Sequence, residues 1–381
     1  YTAVLMDIKM VDLGRQLEPI RIEIDSAIQE VLDATNFING ESVREFEKNL
    51  AEWLGARHVV SCANGTDALQ LAFMALGLKP GDEVIVPTFT YVATAEVIAL
   101  LGLSPILVDV DSQTFNINIE AASHLVTSRT KAIVPVHLYG QCANMEEILK
   151  FAESHNLYVV EDTAQAIGAE VKFSDGRTRS AGTIGHIGTT SFFPSKNLGC
   201  FGDGGAIFTN DDDLAAKLKM IANHGQRIKY YHDLVGVNSR LDTIQAAILN
   251  VKLDHLHSYC EARQKAAAFY DHALKDVEHI ITPYRSLFSS HVFHQYTIKV
   301  SEKYSRDELK NYLAEQGIPS MIYYPLPLHE QKAYLEFMIE DMEFPISASL
   351  CNSVLSLPMH THLKIEEQEF IVRHIKLFFS K

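Results

Sequence analysis

The chain has 381 residues, which is enough for two packed domains with buried cores. Its 47% hydrophobic and 21% charged residues are ordinary for a globular protein, which excludes a disordered or fibrous one. Asp and Glu number 48 against 33 Lys and Arg, with no dense basic stretch, so neither nucleic acid nor an anionic membrane is expected as a partner. Apolar runs too short to span a bilayer and the lack of a secretory pattern lead us to expect a cytoplasmic protein.

The first 210 residues alternate short apolar segments with helical patterns. Apolar residues at helical spacing between positions 22 and 32 predict an N-terminal helix. Buried strands are predicted at residues 83–87, 105–109, 132–137, 158–161, 189–193 and 205–209. This alternation predicts an α/β fold with a mostly parallel, helix-covered sheet.

From residue 241 onward the sequence pattern changes from alternating to helical. Turn residues disappear between positions 241 and 274, and a long helical pattern replaces them, so we place a domain boundary near residue 250. Residues 1–250 then form a large domain. Residues 251–381, with a strand at 296–300, a helix at 306–316 and a proline-rich segment at 324–328, form a smaller C-terminal α+β domain.

Two segments place a reactive side chain where a predicted strand ends. In LYVVEDTAQAIG (157–168), Asp162 ends an apolar strand, where it could ligate a metal, cap a helix or pair with a cationic ring nitrogen. In TTSFFPSKNLG (189–199), Lys196 follows a strand and precedes a glycine-rich stretch that lets backbone pack closely around a ligand. A lysine amine forms a Schiff base with an aldehyde cofactor, and an aspartate keeps a pyridine ring protonated.

A third segment offers a site for an anion. Asn64, Gly65 and Thr66 immediately precede a helical pattern, and backbone N–H groups at a helix N-terminus bind phosphate. Considered alone, a Gly-Thr pair before a helix is more often a plain helix cap. Together with Asp162 and Lys196, it favours a phosphorylated aldehyde cofactor.

The cysteines, the paired histidines and one group of glycines are given no functional role. The five cysteines are widely spaced and are interpreted as buried thiols. The histidine pairs 255/257, 291/294 and 360/362 have no accompanying carboxylate or cysteine cluster, so no metal site is expected. The glycines at 182, 185 and 188 follow no clear strand and do not form a dinucleotide-binding motif.

Six strings carry a resemblance to a known family. They are ANGTDAL, PTFTYVATA, EDTAQAIGA, SFFPSKNLG, GDGGAIFTND and GVNSRLDTIQAAIL, in this order along the chain. The chain thereby resembles, from about residue 10 to residue 360, the DegT-type sugar nucleotide aminotransferases, which are fold-type-I enzymes that use pyridoxal 5'-phosphate (PLP). Six ordered motifs make chance agreement negligible.

The resemblance implies a role for each matching residue. Lys196 would hold the cofactor as a Schiff base, and Asp162 would pair with its pyridine nitrogen. The other cofactor contacts implied are Gln165 beside the 3-hydroxyl, Tyr91 on the ring face, Gly65, Thr66 and Ser191 at the phosphate, and Asn238 from a neighbouring subunit. The last of these implies a homodimer with shared active sites.

The resemblance also implies a reaction, in which L-glutamate donates an amino group to a nucleotide-linked keto sugar. Members with histidine in place of the lysine act as dehydratases, so Lys196 favours transamination. The strings SCANGTDALQ and VHLYGQCA are most similar to the branch acting on UDP-2-acetamido-2-deoxy-3-oxo-glucuronate, which serves bacterial surface polysaccharides such as O-antigen. Arg240 is expected either to bind the uronate carboxylate as a bidentate pair or to form an ordinary salt bridge at the surface or at a subunit interface.

Two further positions, near residue 325, bear on which sugar the enzyme binds. That branch tends to place histidine before the tyrosine of its YPxP segment, whereas this chain departs from the pattern with Tyr323 before Tyr324, at positions where substrate contacts are implied. His329 is expected either to line the sugar pocket or to cap the next helix.

Other functions remain open at this point. One is amination of another dTDP-, GDP- or UDP-linked keto sugar at C3 or C4. A second is a non-catalytic PLP-binding regulator, which we disfavour because we expect no DNA-binding module before residue 20. A purely structural α/β protein would leave Lys196 unmodified.

Overall fold

The computed structural model describes residues 7–339 and 342–380. In this part of the chain, the strands of the first 210 residues are β1 (His58–Cys62), β2 (Glu83–Pro87), β3 (Ser104–Val108), β4 (Thr130–Ile133), β5 (Tyr158–Asp162), β6 (Glu170–Lys172), β7 (Thr178–Ser180), β8 (Ile187–Ser191) and β9 (Gly205–Thr209). All of these except the hairpin β6–β7 form one sheet in the order β1-β9-β8-β5-β4-β2-β3. Strands β3, β2, β4, β5 and β8 run parallel, and β9 is antiparallel to both β8 and β1.

The helices accompanying these strands are α1 (Leu13–Leu17), α2 (Arg21–Ala34), α3 (Glu41–Leu54), α4 (Gly65–Leu76), α5 (Ala93–Leu100), α6 (Ile119–Ser123), α7 (Met145–His155) and α8 (Asp212–Ala222). They cover both faces of the sheet. Val84 and Val86 of β2 pack with α4, α5 and α8, whereas Ile85 between them packs with α3 and α7 on the opposite face. Because both faces are buried, β2 is a continuous apolar run.

The predicted α/β class and mostly parallel, helix-covered sheet are confirmed. Strands 83–87 and 205–209 have the predicted bounds, whereas β4 ends at Ile133 and β8 at Ser191, short of the predicted ends at 137 and 193. Beyond Ser191 the backbone turns back on itself, with Cys200 N–H donating to the Phe192 carbonyl. The edge strand β1 was not predicted, because its polar residues His58 and Ser61 mask the apolar run.

The remaining elements are β10 (Gln226–Ile228), β11 (Tyr231–His232), α9 (Thr243–Asp254), α10 (Leu256–Leu274), β12 (Ile280–Ile281), β13 (Tyr296–Val300), α11 (Arg306–Glu315), α12 (Pro345–Ser353), β14 (Val354–Leu357) and α13 (Ile365–Phe379). Strands β12, β13 and β14 form an antiparallel sheet. A second core between this sheet and the helices α10, α11 and α13 includes Tyr270, Leu309 and Ile371.

The predicted boundary near residue 250 falls inside α9. Ala246 and Leu249 of α9 belong to the core of the main sheet, whereas Ala267 and Leu274 of α10 belong to the second core. The division into residues 1–250 and 251–381 stays a prediction. Among the described helices, none has both the length and the apolar character needed to cross a bilayer.

Candidate active site

Strand β5 ends in two acidic residues that point to opposite sides of the sheet, as successive strand residues do. Glu161 is fully buried and accepts hydrogen bonds from His137 Nε2 at 3.0 Å and from the N–H groups of Gly182, Ile184 and Gly185 at 2.9, 2.7 and 2.6 Å. Burial alone would raise the pKa of Glu161, but these donors outweigh it and the pKa is lowered. Glu161 therefore anchors the glycine-containing loop 182–185.

Asp162 is 6% exposed and faces the edge of the sheet where the carboxyl ends of the parallel strands meet. Its Oδ2 accepts a hydrogen bond from Thr94 Oγ1 at 2.8 Å, and its Oδ1 accepts one from Ala164 N–H at 3.1 Å. Residues 164–168 form turns, so Asp162 does not cap a regular helix. Sequence reasoning missed Thr94, although it lies in the string PTFTYVATA, because a partner 68 residues away gives no local signal.

Lys196 lies in a tight turn after β8, with its N–H bonded to the Phe193 carbonyl at 2.8 Å. Strand β8 pairs in parallel with β5, and Thr189 lies opposite Asp162, so both reactive residues are delivered to the same edge of the sheet. The side chain is partly accessible, yet loss of hydration lowers the pKa of Lys196 to about 8, an effect that the charge of Asp162 opposes. An amine with this pKa is substantially uncharged near pH 8 and can act as a nucleophile.

The predicted phosphate-binding residues also meet. Asn64 caps α4, with its Oδ1 accepting from Asp67 N–H at 2.8 Å, and Gly65 and Thr66 form the first turn. A Cβ atom built at Gly65 would lie 2.7 Å from the Cβ of Ser191, so only glycine lets the start of α4 approach the end of β8 this closely. The result is a helix N-terminus beside a serine hydroxyl, which is suited to a phosphate group.

Gln165 connects the turn after β5 to the segment around Tyr324. Its Nε2 donates to Tyr324 Oη at 3.1 Å, and its Oε1 accepts from the backbone N–H of Tyr139 at 2.8 Å. The ring of Tyr91, which is 57% exposed, lies 6.3 Å from the ring of Tyr324, measured between centroids. Burial raises the pKa of Tyr324, so its phenol stays protonated.

Asn238 and Arg240 lie elsewhere. They line a concave pocket with Ala63, Asp203 and Asp242, and none of the described contacts joins them to Asp162 or Lys196 of the same chain. Arg240 Nη1 donates to Asn223 Oδ1 at 3.0 Å, while its buried Nε has no hydrogen-bond partner among the described residues. Within residues 7–339 and 342–380 of one chain Arg240 forms no ion pair, and a salt bridge across a subunit interface stays a prediction.

His329 is packed into the structure in a short 3₁₀ turn, Leu328–Glu330. Its Nδ1 lies 2.9 Å from Thr88 Oγ1, and its ring stacks on Phe344 with 4.2 Å between centroids. Burial lowers its pKa. The next turn, Lys332–Phe337, receives no side-chain cap, so the expected capping role is not observed.

The five cysteines are buried and unpaired, as predicted. In the part of the chain that the structure describes, no three His, Cys, Asp or Glu side chains gather as a metal-binding cluster would require. Most of the sequence-predicted residues thus converge on the edge of the sheet at β5 and β8, and Asn238 and Arg240 occupy a separate pocket.

The residues at the sheet edge fit PLP. The narrow contact between Gly65 and Ser191, the buried carboxylate of Asp162 and the lowered pKa of Lys196 match the phosphate, the ring nitrogen and the aldehyde of this cofactor.

Comparison with characterised proteins supports the assignment of this site to a PLP enzyme. A UDP-2-acetamido-2-deoxy-3-oxo-D-glucuronate aminotransferase from Pseudomonas aeruginosa is 46% identical over 356 residues, which cover 93% of this chain and 96% of that protein. A UDP-N-acetyl-3-dehydro-alpha-D-glucosamine 3-aminotransferase from Acidithiobacillus ferrooxidans is 44% identical over 360 residues, covering 94% of this chain and 95% of that protein.

A solved structure and a family model extend the comparison. The crystal structure of NtdA from Bacillus subtilis, with bound pyridoxamine phosphate (PMP), superposes with a TM-score of 0.91 and 30% identity, covering 100% of this chain and 87% of that one. The model of the DegT/DnrJ/EryC1/StrS aminotransferase family matches residues 19–376. The chain therefore belongs to the DegT/DnrJ/EryC1/StrS aminotransferase family and is a PLP-dependent sugar aminotransferase.

Proposed function

We propose that this enzyme transfers the amino group of L-glutamate to C3 of UDP-2-acetamido-2-deoxy-3-oxo-glucuronate. The two curated relatives described above are named for 3-oxo sugars linked to UDP that carry an acetamido group. They differ in whether the sugar carries a carboxylate. The observation that favours the uronate is Arg240, whose buried Nε has no partner among the described residues.

Each predicted site residue has a task toward the cofactor and substrate. Bound PLP supplies an aldehyde and an electron-withdrawing ring through which an amino group can be exchanged. We propose that Lys196 binds the aldehyde carbon and that Asp162, fixed by Thr94 and Ala164, holds a proton on the ring nitrogen. Gly65, Thr66 and Ser191 would bind the phosphate.

The remaining residues orient the ring and move the proton. Gln165 faces the 3-hydroxyl and Tyr91 covers the ring face, in the proposed arrangement. The Lys196 amine, with a pKa of about 8, would carry a proton between the substrate carbon and the cofactor carbon to which the amino group is transferred. Tyr324, linked to Gln165, and His329 are proposed to line the sugar pocket.

Arg240 is the proposed specificity residue. A guanidinium binds a carboxylate through two parallel hydrogen bonds, and Nε with one terminal nitrogen supplies such a pair. Asp203 and Asp242 line the same pocket and would repel an anionic sugar, so the attraction has to come from Arg240. Asn238 in this pocket is exposed, as a residue that contacts a neighbouring subunit would be.

We therefore propose a homodimer in which Asn238 and Arg240 of one subunit complete the site of the other. Co-expression of Lys196→Ala and Asn238→Asp chains tests this, because a hybrid dimer would contain one intact shared site. With random assembly, about a quarter of wild-type activity should return. Absence of recovery, with hybrid dimers present by mass spectrometry, would contradict the shared site.

The enzyme is proposed to act in the cytoplasm in the synthesis of a bacterial surface polysaccharide such as O-antigen. This assignment is supported by the resemblance of the chain to the uronate-specific branch. The proposed role in polysaccharide synthesis also depends on the identity of the substrate, which can be measured directly.

The substrate is tested in the reverse direction with stable amino sugars. PLP-loaded enzyme is titrated with UDP-2-acetamido-3-amino-2,3-dideoxy-glucuronate, with the corresponding glucosamine derivative and with a 4-amino UDP sugar, while the cofactor absorption is followed. We expect the 3-amino uronate to be preferred. In Arg240→Ala that preference over the neutral 3-amino sugar should fall by at least about tenfold, the scale of a lost charged hydrogen bond. Unchanged discrimination would exclude the role of Arg240, and a preference for the 4-amino sugar would exclude C3.

A further inference from the structure

Tyr139 occupies an unusual backbone conformation next to the candidate site. It lies in the short turn Leu138–Gly140 that follows β4, with φ 58° and ψ 2°. Bulky residues rarely adopt this left-handed region, which glycine enters freely. Such a conformation persists where the surrounding structure over-determines it. The side chain and backbone of Tyr139 therefore need a reason to be held there.

The contacts of Tyr139 supply that reason. Its backbone N–H donates to Gln165 Oε1 at 2.8 Å, and its phenol donates to the carbonyl oxygen of Tyr323. Gln165 Nε2 in turn donates to Tyr324 Oη at 3.1 Å. These bonds form a closed circuit that runs from Tyr139 to Gln165, Tyr324 and Tyr323 and back to Tyr139.

A row of aromatic rings supports the same arrangement. The ring of Tyr139 packs edge-on against Phe115, with 5.9 Å between centroids, and Phe115 packs in the same way on Phe89 at 6.3 Å. Phe89 then contacts the ring of Tyr324 at 6.0 Å. Edge-to-face packing of this kind fixes ring orientation.

The circuit also crosses between the two sheets. Tyr139 follows a strand of the main sheet, whereas Met321, two residues before Tyr323, exchanges both backbone hydrogen bonds with Ser356 of β14, at 3.1 and 2.8 Å. Burial raises the pKa of Tyr139, so its phenol remains a donor across the working pH range. Tyr139 thus ties the segment carrying Tyr324 to the turn carrying Gln165.

We propose that Tyr139 is a positioning residue that holds Tyr324 at the keto-sugar site by fixing Gln165 on one side and the Tyr323 carbonyl on the other. The proposal rests on the proposed function, in which Tyr324 lines the sugar pocket and Gln165 faces the 3-hydroxyl of the cofactor.

Tyr139→Phe tests the proposal in full-length holoenzyme. This change keeps the ring packing and the backbone bond to Gln165 and removes the phenol's bonds to the Tyr323 carbonyl and to the Thr297 side chain. Tyr270→Phe is the matched control, since Tyr270 is fully buried and its phenol also donates to a backbone carbonyl, that of Pro358 at 3.1 Å, in the second core. We expect Tyr139→Phe to lower kcat/KM for the keto sugar about 5- to 10-fold. Tyr270→Phe should leave kcat/KM unchanged.

A double-mutant cycle shows whether Tyr139 acts through Tyr324. In a Tyr324→Phe background, Tyr139→Phe should have almost no further effect, because the group it positions has already been removed. Additive losses would overturn the proposal. Tyr139→Phe should also speed hydrogen exchange in residues 319–326 without substrate, whereas Tyr270→Phe should not.

These readouts separate the two claims. If wild-type enzyme aminates a different keto sugar, the proposed substrate is wrong and the cycle is measured with that sugar. Hydrogen exchange needs no substrate, so unchanged exchange in Tyr139→Phe would overturn the positioning role whatever the enzyme's substrate is.

Discussion

Two lysines of this protein have similar pKa values but different surroundings. Loss of hydration lowers the pKa of both Lys196 and Lys252 to about 8. Lys252 is 2% exposed, donates to the carbonyl of Gly199 and lies with its Nζ 5.5 Å from the centroid of the Phe201 ring. Lys196 remains partly accessible beside Asp162. A lowered pKa alone therefore does not identify the lysine that binds the cofactor; access and the neighbouring carboxylate do.

The pKa of Lys196 predicts how cofactor-free enzyme captures PLP. The free amine is the reactive form, so the capture rate should rise with pH and level off above about pH 8. The charge of Asp162 stabilises the ammonium and raises this pKa, so Asp162→Asn should move the midpoint to lower pH. Stopped-flow absorbance measures the rate. A simple alkylamine run in parallel corrects for the titration of PLP itself, and a midpoint that stays or rises in Asp162→Asn would contradict the account.

Neighbouring residues show where sequence reasoning reached its limit. The end of a buried strand was recognised at Glu161 and Asp162, and the family motif assigned a role to Asp162. The anchoring role of Glu161 depends on N–H groups of Gly182, Ile184 and Gly185, more than 20 residues away. Thr94 and Tyr139 were missed for the same reason, since their partners are set by the packing of distant strands.

At the scale of elements, the approach of α4 to β8 forms the phosphate site. Gly65→Ala would place a methyl group 2.7 Å from Ser191 Cβ and push the two elements apart, a strain of about 1–3 kcal/mol. We expect the dissociation constant for PLP to rise by at least about tenfold. Fluorescence titration of cofactor-free enzyme measures it.

Gly14→Ala is the control for this change. Gly14 lies within α1, its backbone is not left-handed, and the nearest atom to an added Cβ is Asp12 Oδ1 at 3.4 Å. This variant should bind PLP like wild type. Equal affinities for Gly65→Ala and Gly14→Ala would show that the close contact between α4 and β8 does not matter for the cofactor.

Strands could be predicted where their buried residues form a recognisable apolar pattern in the sequence. Strands β2, β9 and β13 have the predicted bounds; β2 and β9 contain apolar runs, and β13 alternates apolar residues with Thr297 and Lys299. Strand β1, at the edge of the sheet, and the hairpin β10–β11 were not predicted, because the first has a mixed pattern and the second consists of exposed residues. Strand β8 ends before the turn that carries Lys196, and β4 ends before Pro135, beyond which Val136 still bridges to Asp162 of β5. Such interruptions depend on contacts outside the strand.

At the scale of the molecule, the candidate site lies where the main sheet meets a segment tied to the second sheet. Asp162 and Lys196 come from β5 and the turn after β8, and Tyr324 comes from the segment that Met321 joins to β14. The change from an alternating to a helical pattern predicts a division near residue 250, which stays a prediction. The hydrogen-bonded circuit that joins the main sheet to this segment could not be predicted from the sequence, because it consists of single hydrogen bonds between residues 139, 165, 323 and 324.

The central claim is that Lys196 holds PLP and gives it up to an amino donor. Borohydride reduction of the PLP-loaded enzyme, followed by proteolysis and mass spectrometry of the lysine-containing peptides, tests this most directly. We predict that the pyridoxyl group is found on the peptide of Lys196 and not on that of Lys252, and that prior addition of L-glutamate prevents the labelling. Labelling of Lys252, or labelling of Lys196 that L-glutamate does not reduce, would contradict the account.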